Sequence, residues 1–162
     1  MLDRLPPRAD ALDERISAWM RRHGVWLLRL GLGVVFVWFG ALKLVPGLSP
    51  AEGLVAETAL ALDRLLWFPP PRVFVPLLGV WEVAIGLGLL VRPLARVAIA
   101  LLALQMPGTL LPLVLFPETV YTAFPLGLTL EGQYIVKNAV LVAAALVVGG
   151  TLRRESSPAQ KL

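Results

Sequence analysis

The sequence contains no cysteine and a single histidine, His23. Without cysteine there is no disulfide framework, no dithiol redox motif, no iron–sulfur cluster and no thiolate nucleophile. A single histidine rules out a bis-histidine haem within one chain and the common histidine-rich zinc sites, so no metal site is expected. It also leaves a hydrolase without a workable catalytic set. Charge is scarce as well: 16% of the residues are charged and 57% hydrophobic, with a mean hydropathy of +0.76. A soluble domain of 162 residues leaves roughly a third of its chain surface in water and could not accommodate so apolar a composition. Lipid as solvent removes that conflict. The net charge is +4, but the basic residues cluster at helix ends. They therefore act as topology signals and do not form a nucleic-acid surface, and the lipid bilayer is the expected surrounding.

Length allows one integral membrane domain over 1–162, and the pattern within it is all-α, a four-helix transmembrane bundle. Four windows approach the length of about 20 apolar residues that a spanning helix needs: 24–45, 73–91, 96–116 and 129–150. No A-x-A cleavage site follows the first, which is therefore an uncleaved span. Arg4, Arg8, Arg15, Arg21 and Arg22 precede the first span, Arg92 and Arg96 flank the second connection, and Arg153, Arg154 and Lys161 follow the last span. The first connection has Arg64 and Arg72, and the third has no lysine or arginine. The positive-inside rule then sets both termini on the cytoplasmic side. Residues 10–22 form an amphipathic N-terminal helix with Leu12, Ile16, Trp19 and Met20 on one face, suited to the cytoplasmic interface or to a partner. Residues 50–67 form an interfacial helix on the outer surface, with Ser49 as N-cap, Pro50 at N1 and Glu52 at N3. Pro69, Pro70 and Pro71 end it. A second outer loop, 117–128, carries Tyr121 and Phe124.

Polar residues inside the spans mark the candidate site, because a charge at membrane depth is costly and normally faces protein. Glu82 and Lys137 lie at matching depth, roughly 12–14 Å from the outer ends of their helices at 1.5 Å per residue. The expected polar centre joins Glu82, Lys137, Gln105, Asn138 and Lys43, with Trp81, Gln133, Tyr134 and Thr109 as lining. Gly79 and Gly86 flank Glu82 on one face, which lets another helix approach. Arg29, Gly33, Phe36, Gly40 and Lys43 form a stripe on the first span, and Ala98, Gln105, Thr109 and Pro112 form one on the third. Glu131, Tyr134 and Asn138 line one face of the fourth. Trp26, Trp38, Trp67 and Tyr121 are read as interface anchors. Glu82 and Lys137 are open to three readings: a buried pair that fixes helix register, a cluster that handles protons or ligand, or charges that face lipid without a role.

Residues 29–43, RLGLGVVFVWFGALK, resemble the first-helix pattern of the DoxX-like integral membrane proteins, and Gly79-Val80-Trp81-Glu82 resembles their second-helix Gly-x-x-Glu. Phe116-Pro117-Glu118, Phe124-Pro125 and Val136-Lys137-Asn138 are similar to elements of the branch related to reactive-chlorine-resistance inner-membrane proteins. The first outer loop is shorter than in that branch. The resemblance covers about residues 25–150 and implies a four-helix fold in the cytoplasmic (inner) membrane of a bacterium or archaeon. It also implies a link to redox or oxidative-stress physiology, with quinone as the expected ligand and an oxidoreductase as the expected partner. With no redox group of its own, the chain is not expected to be catalytic alone. Three functions follow as expectations. The protein is a membrane subunit of a redox or oxidative-stress system that binds a quinone-like apolar ligand or docks an oxidoreductase. Alternatively it provides a proton or small-solute pathway through Glu82 and Lys137, or it is a structural subunit of a larger membrane complex.

Overall fold

In the computed structural model, residues 7–152 are described, with side chains from residue 10 onward. The orientation signals at Arg4, Arg153, Arg154 and Lys161 lie outside the described residues, as does the side chain of Arg8. The described chain is almost entirely helical: α1 (Pro7–Leu42), α2 (Glu52–Leu66), α3 (Pro71–Leu90), α4 (Ala95–Leu110), α5 (Pro112–Leu115), α6 (Pro117–Val120) and α7 (Leu130–Thr151). A short antiparallel ribbon, β1 (Tyr121–Ala123) and β2 (Gly127–Leu128), links α6 to α7. Four helical stretches are long and apolar enough to cross a membrane: Asp10–Leu42, Pro71–Leu90, Arg92–Leu115 and Leu130–Thr151.

These four helices form a closed ring. α1 packs most extensively on α3, α3 on α4, α4 on α7, and α7 back on α1. Their shared interior is a cluster of Leu32, Phe36, Ile85, Leu89, Ala98, Leu102, Met106, Ala144, Ala145 and Val148. A 3-10 turn at Arg92–Leu94, too short to allow drift, makes α3 and α4 an antiparallel hairpin. Across it a Cβ on Gly88 would come within 2.9 Å of the Ala98 Cβ. At the end of α7, Arg96 donates from Nη2 to the Leu152 carbonyl at 3.1 Å, supplying a partner for a helix-terminal oxygen.

Two expectations about element boundaries need correction. Residues 10–22 are not a separate interfacial helix, because α1 runs unbroken through Gly24 into the span. Nothing between Arg21 and Trp26 is proline or a helix cap, and one interior glycine costs only about 1 kcal/mol. Ser49 is not the N-cap of α2: Ala51 holds that place and Ser49 is buried in the preceding turn. The Glu52 carboxylate still reaches back, but it accepts from the Gly47 N–H at 2.7 Å and ties the loop after α1. α2 packs on α3 and α5 and ends at Trp67, in the left-handed region at φ 52°, with the Asp63 carboxylate accepting from the Phe68 N–H. Phe68 then meets Phe74 edge to face.

The third window, 96–116, divides at Leu111 into α4 and α5, between Pro107 inside α4 and Pro112 at the start of α5. α7 starts at a well-formed cap. Thr129 Oγ1 accepts from the Gly132 N–H at 3.2 Å and donates to the Thr119 carbonyl at 2.8 Å. Gly132 lies directly against the Val120 carbonyl, where any Cβ would collide. That contact ties the 117–128 segment to the top of the fourth span.

Candidate buried polar centre

The α1–α3 contact is built on glycine. A Cβ on Gly40 would stand 2.8 Å from the Gly79 carbonyl oxygen, and one on Gly79 would stand 2.8 Å from the Gly40 oxygen. One heptad deeper, a Cβ on Gly86 would stand 2.7 Å from the Gly33 oxygen. Both pairs are seven residues apart on their own helix, so they recur on one seam and hold the two backbones at close range along it. The stripe Gly33, Phe36, Gly40 and Lys43 therefore faces inward as a unit and is buried, with Arg29 half-buried below it.

This seam determines which charges meet. Lys43 follows Gly40 by three residues and Glu82 follows Gly79 by three. The two helices are antiparallel, so Lys43 lies toward one end of the seam and Glu82 toward its middle. Every Cα–Cβ bond leans toward the N-terminus of its helix. The lysine stem therefore leans inward along α1 while the carboxylate leans outward along α3, and the two side chains converge. Lys43 Nζ donates to Glu82 Oε2 at 2.6 Å, with the two residues 7% and 8% exposed. A longer contact runs from Nζ to the Phe39 carbonyl at 3.4 Å.

The other carboxylate oxygen is also engaged. Gln105 on α4 donates from Nε2 to Glu82 Oε1 at 2.9 Å. The short α3–α4 turn sets these residues level with each other, since Gly88 faces Ala98 and six or seven residues further up each helix stand Glu82 and Gln105. Three helices thus converge on one carboxylate at mid-bundle. The far end of the chain is open: Gln105 Oε1 is buried and has no hydrogen-bond donor. Thr109, one turn above, is half-buried, but its hydroxyl is spent on the Met106 carbonyl at 2.8 Å. Trp81 is half-buried and packs on the apolar cluster below the centre.

The fourth span contributes less than its sequence predicts. Lys137 does not pair with Glu82. It is exposed on the outer face of α7, with Nζ 5.5 Å from the centre of the Tyr134 ring. The inward residues on this part of α7 are Gly132 and Ile135, one helical turn apart. Lys137, two residues beyond Ile135, lies roughly 200° round the helix and so on the far side. Gln133 and Tyr134 are exposed with it and do not line the centre. Asn138 is half-buried and has no hydrogen-bond partner among the described residues. Depth along a helix says nothing about angle around it, and depth was the ground for pairing Glu82 with Lys137.

Among the described residues no group of three or more His, Cys, Asp or Glu side chains converges as a metal site would require. What the centre offers is a carboxylate held by one ammonium and one amide, and an acceptor awaiting a donor. Comparison of the chain with protein-family models, with curated proteins and with solved structures returned no match.

Proposed function

We propose that this is a DoxX-like protein of a bacterial or archaeal inner membrane, with both termini cytoplasmic. In this reading it serves as the membrane subunit of a redox or oxidative-stress system, and Lys43, Glu82 and Gln105 receive a quinone-like apolar ligand. The observation that carries the proposal is Gln105 Oε1, a buried acceptor without a donor at the end of a charge-assisted chain. An unmade hydrogen bond of this kind costs about 1–3 kcal/mol. A ligand that is apolar overall but carries a hydroxyl donor removes that cost while leaving the surrounding core dry. A quinol has this chemistry, and a bound quinone–quinol pair supplies two-electron redox chemistry that the chain's own side chains lack. The residues then have distinct tasks. Gln105 orients the ligand hydroxyl, Glu82 stands next to it as a proton acceptor, and Lys43 holds the carboxylate in position through its hydrogen bond to Oε2. An oxidoreductase partner is needed to pass electrons, since the chain has no redox side chain of its own.

Gentle purification followed by solvent extraction tests this. Quinone is expected in the extract of the unaltered protein and is expected to be lost in Gln105→Leu. A chain that folds normally and yields no apolar ligand overturns the reading. A second reading, that the centre only sets helix register, is favoured by its position on the Gly40–Gly79 seam. The two separate in the charge-free pair Lys43→Met with Glu82→Leu, which keeps function if the role is register alone and abolishes ligand retention if it is binding.

A further inference from the structure

α3 is 20 residues long, about 30 Å at 1.5 Å per residue, which matches the hydrocarbon thickness of a bilayer. Its last residue, Leu90, therefore marks the depth at which the headgroup layer begins. Three arginines reach that depth. Gly33 stands opposite Gly86 on the α1–α3 seam, so Arg29, four residues earlier on α1, comes level with Leu90. Gly88 faces Ala98 across the α3–α4 hairpin, so Arg96, two residues before Ala98, comes level with Leu90 as well. Arg92 lies in the turn itself. α1 and α4 run in the same direction, and side chains lean toward the N-terminus of their helix. Arg29 and Arg96 therefore both lean away from the middle of the bundle, toward the turn that carries Arg92.

The three differ in what they already hold. Arg96 is engaged at the end of α7, donating to the Leu152 carbonyl at 3.1 Å, and Arg92 is engaged as well. Arg29 is half-buried below Gly33 and has no hydrogen-bond or ion-pair partner among the described residues. A guanidinium carries five donors and stays charged, so shielding it at membrane depth without an acceptor is costly. The described chain has no carboxylate to offer it. Glu82 is eight residues further up α3, about 12 Å along the axis, and both its oxygens are taken. Glu14 is fifteen residues back along α1, about 22 Å away. The remaining described carboxylates stand further out on α1 or at the opposite end of the bundle. The residue type adds chemistry. Arg15, Arg21, Arg22, Arg29, Arg92 and Arg96 are described at this end of the bundle, and neither described lysine, Lys43 or Lys137, is among them. The planar guanidinium fork matches two oxygens of one phosphate, where an ammonium supplies only a point charge. A lipid phosphate is the acceptor that a bilayer offers at this depth, and basic sites between spans at a headgroup layer take anionic lipid.

We infer that Arg29, beside Arg92 and Arg96, binds the phosphodiester of an anionic glycerophospholipid against the α3–α4 turn. This inference does not depend on what the buried centre binds. The full-length protein is equilibrated in mixed micelles with phosphatidylglycerol and phosphatidylcholine of equal chain length, and retained lipid is counted by native mass spectrometry. One phosphatidylglycerol per chain is expected, with a severalfold preference over phosphatidylcholine. Arg29→Gln is expected to abolish the preference, and Arg29→Lys, which keeps the charge without the fork, to lose most of it. Arg21→Gln with Arg22→Gln removes twice the charge just outside the layer and is expected to leave the preference intact. Thermal unfolding in phosphatidylcholine alone is expected to be the same for all four proteins, while added phosphatidylglycerol protects the unaltered chain and not Arg29→Gln. Inorganic phosphate is expected to give no protection; protection equal to that of the lipid would make this a site for a free anion and overturn the inference. Equal losses in Arg29→Gln and in the Arg21–Arg22 variant would reduce the effect to general surface charge and also overturn it. So would a preference that survives Arg29→Gln, or a gain of phosphatidylglycerol in Glu155→Gln, which would assign the counter-charge to the chain's own tail.

Discussion

α3 and α7 each carry one full charge near mid-depth, and they use it in opposite ways. Glu82 on α3 faces the bundle, buried, with a partner on each oxygen. Lys137 on α7 faces outward, with an aromatic ring as its neighbour. The neighbours of each residue on its own helix account for the difference. Three before and four after Glu82 stand Gly79 and Gly86, which leave room for a helix to close over the charge. The corresponding neighbours of Lys137 are the exposed Tyr134 and Leu141, which packs partly on the core cluster; neither leaves the gap that a glycine does, and the lysine keeps a free path toward the headgroups. In a chain of this kind the small residues around a charge, more than its depth, tell whether it is inside.

The sharpest test of that contrast is to remove each charge in turn. Glu82→Leu leaves the Lys43 ammonium buried without a counter-charge and is expected to destabilise the protein by about 3–5 kcal/mol. Lys43→Met added to Glu82→Leu is expected to recover most of the loss, because a buried pair and well-packed apolar replacements are often close in stability. Denaturant unfolding in bicelles measures both, and no recovery in the double variant would break the account of the pair. Next in size is Gly79→Ala, whose Cβ meets backbone on α1 and is expected to cost about 1–3 kcal/mol by forcing the seam apart. Gln105→Leu removes one bond to the carboxylate but also removes the unsatisfied Oε1, so about 1 kcal/mol of net loss is expected. The smallest effect belongs to the other side of the comparison. Lys137→Met is expected to shift stability by no more than about 0.5 kcal/mol, as for a surface position. A loss as large as that of Glu82→Leu would show that Lys137 has a hidden partner.

Much of this architecture was legible in the sequence. Two of the four apolar windows, 73–91 and 129–150, match α3 and α7 within two residues at each end, and 96–116 spans α4 and α5 together, because a run of some 20 apolar residues has few other uses. Pro71 and the Arg92–Ala95 turn set boundaries through proline chemistry and a charge-flanked break. The Gly33, Gly40, Gly79 and Gly86 spacings also carried the seam, and with it the inward stripe of α1. The partner of Glu82 was harder to see. Lys43 stands near the end of its helix and looks like a snorkelling residue until the antiparallel lean of the two side chains is taken into account. The azimuth of α7 was not readable either. Its inward face is set by Gly132 against Val120 and by Ile135, and that contact depends on how the 117–128 segment folds back. The continuity of α1 through Gly24 was masked by a change from charged to apolar residues that marks the membrane boundary and not a helix end.

The glycine seam also bears on how the chain enters the bilayer during synthesis. Lys43 and Glu82 sit at the end of one span and within the next, and an unpaired charge at the centre of a membrane costs about 2.5–3.5 kcal/mol on insertion scales. α1 and α3 can close on each other as soon as both have emerged, because glycine against glycine has no side-chain rotamers to freeze and no volume to rearrange. The two charges can then pair inside a helical hairpin without waiting for α4 and α7. The first two spans can therefore partition with this pair already neutral, and α4 and α7 can join a seam whose most deeply placed charge is sheltered.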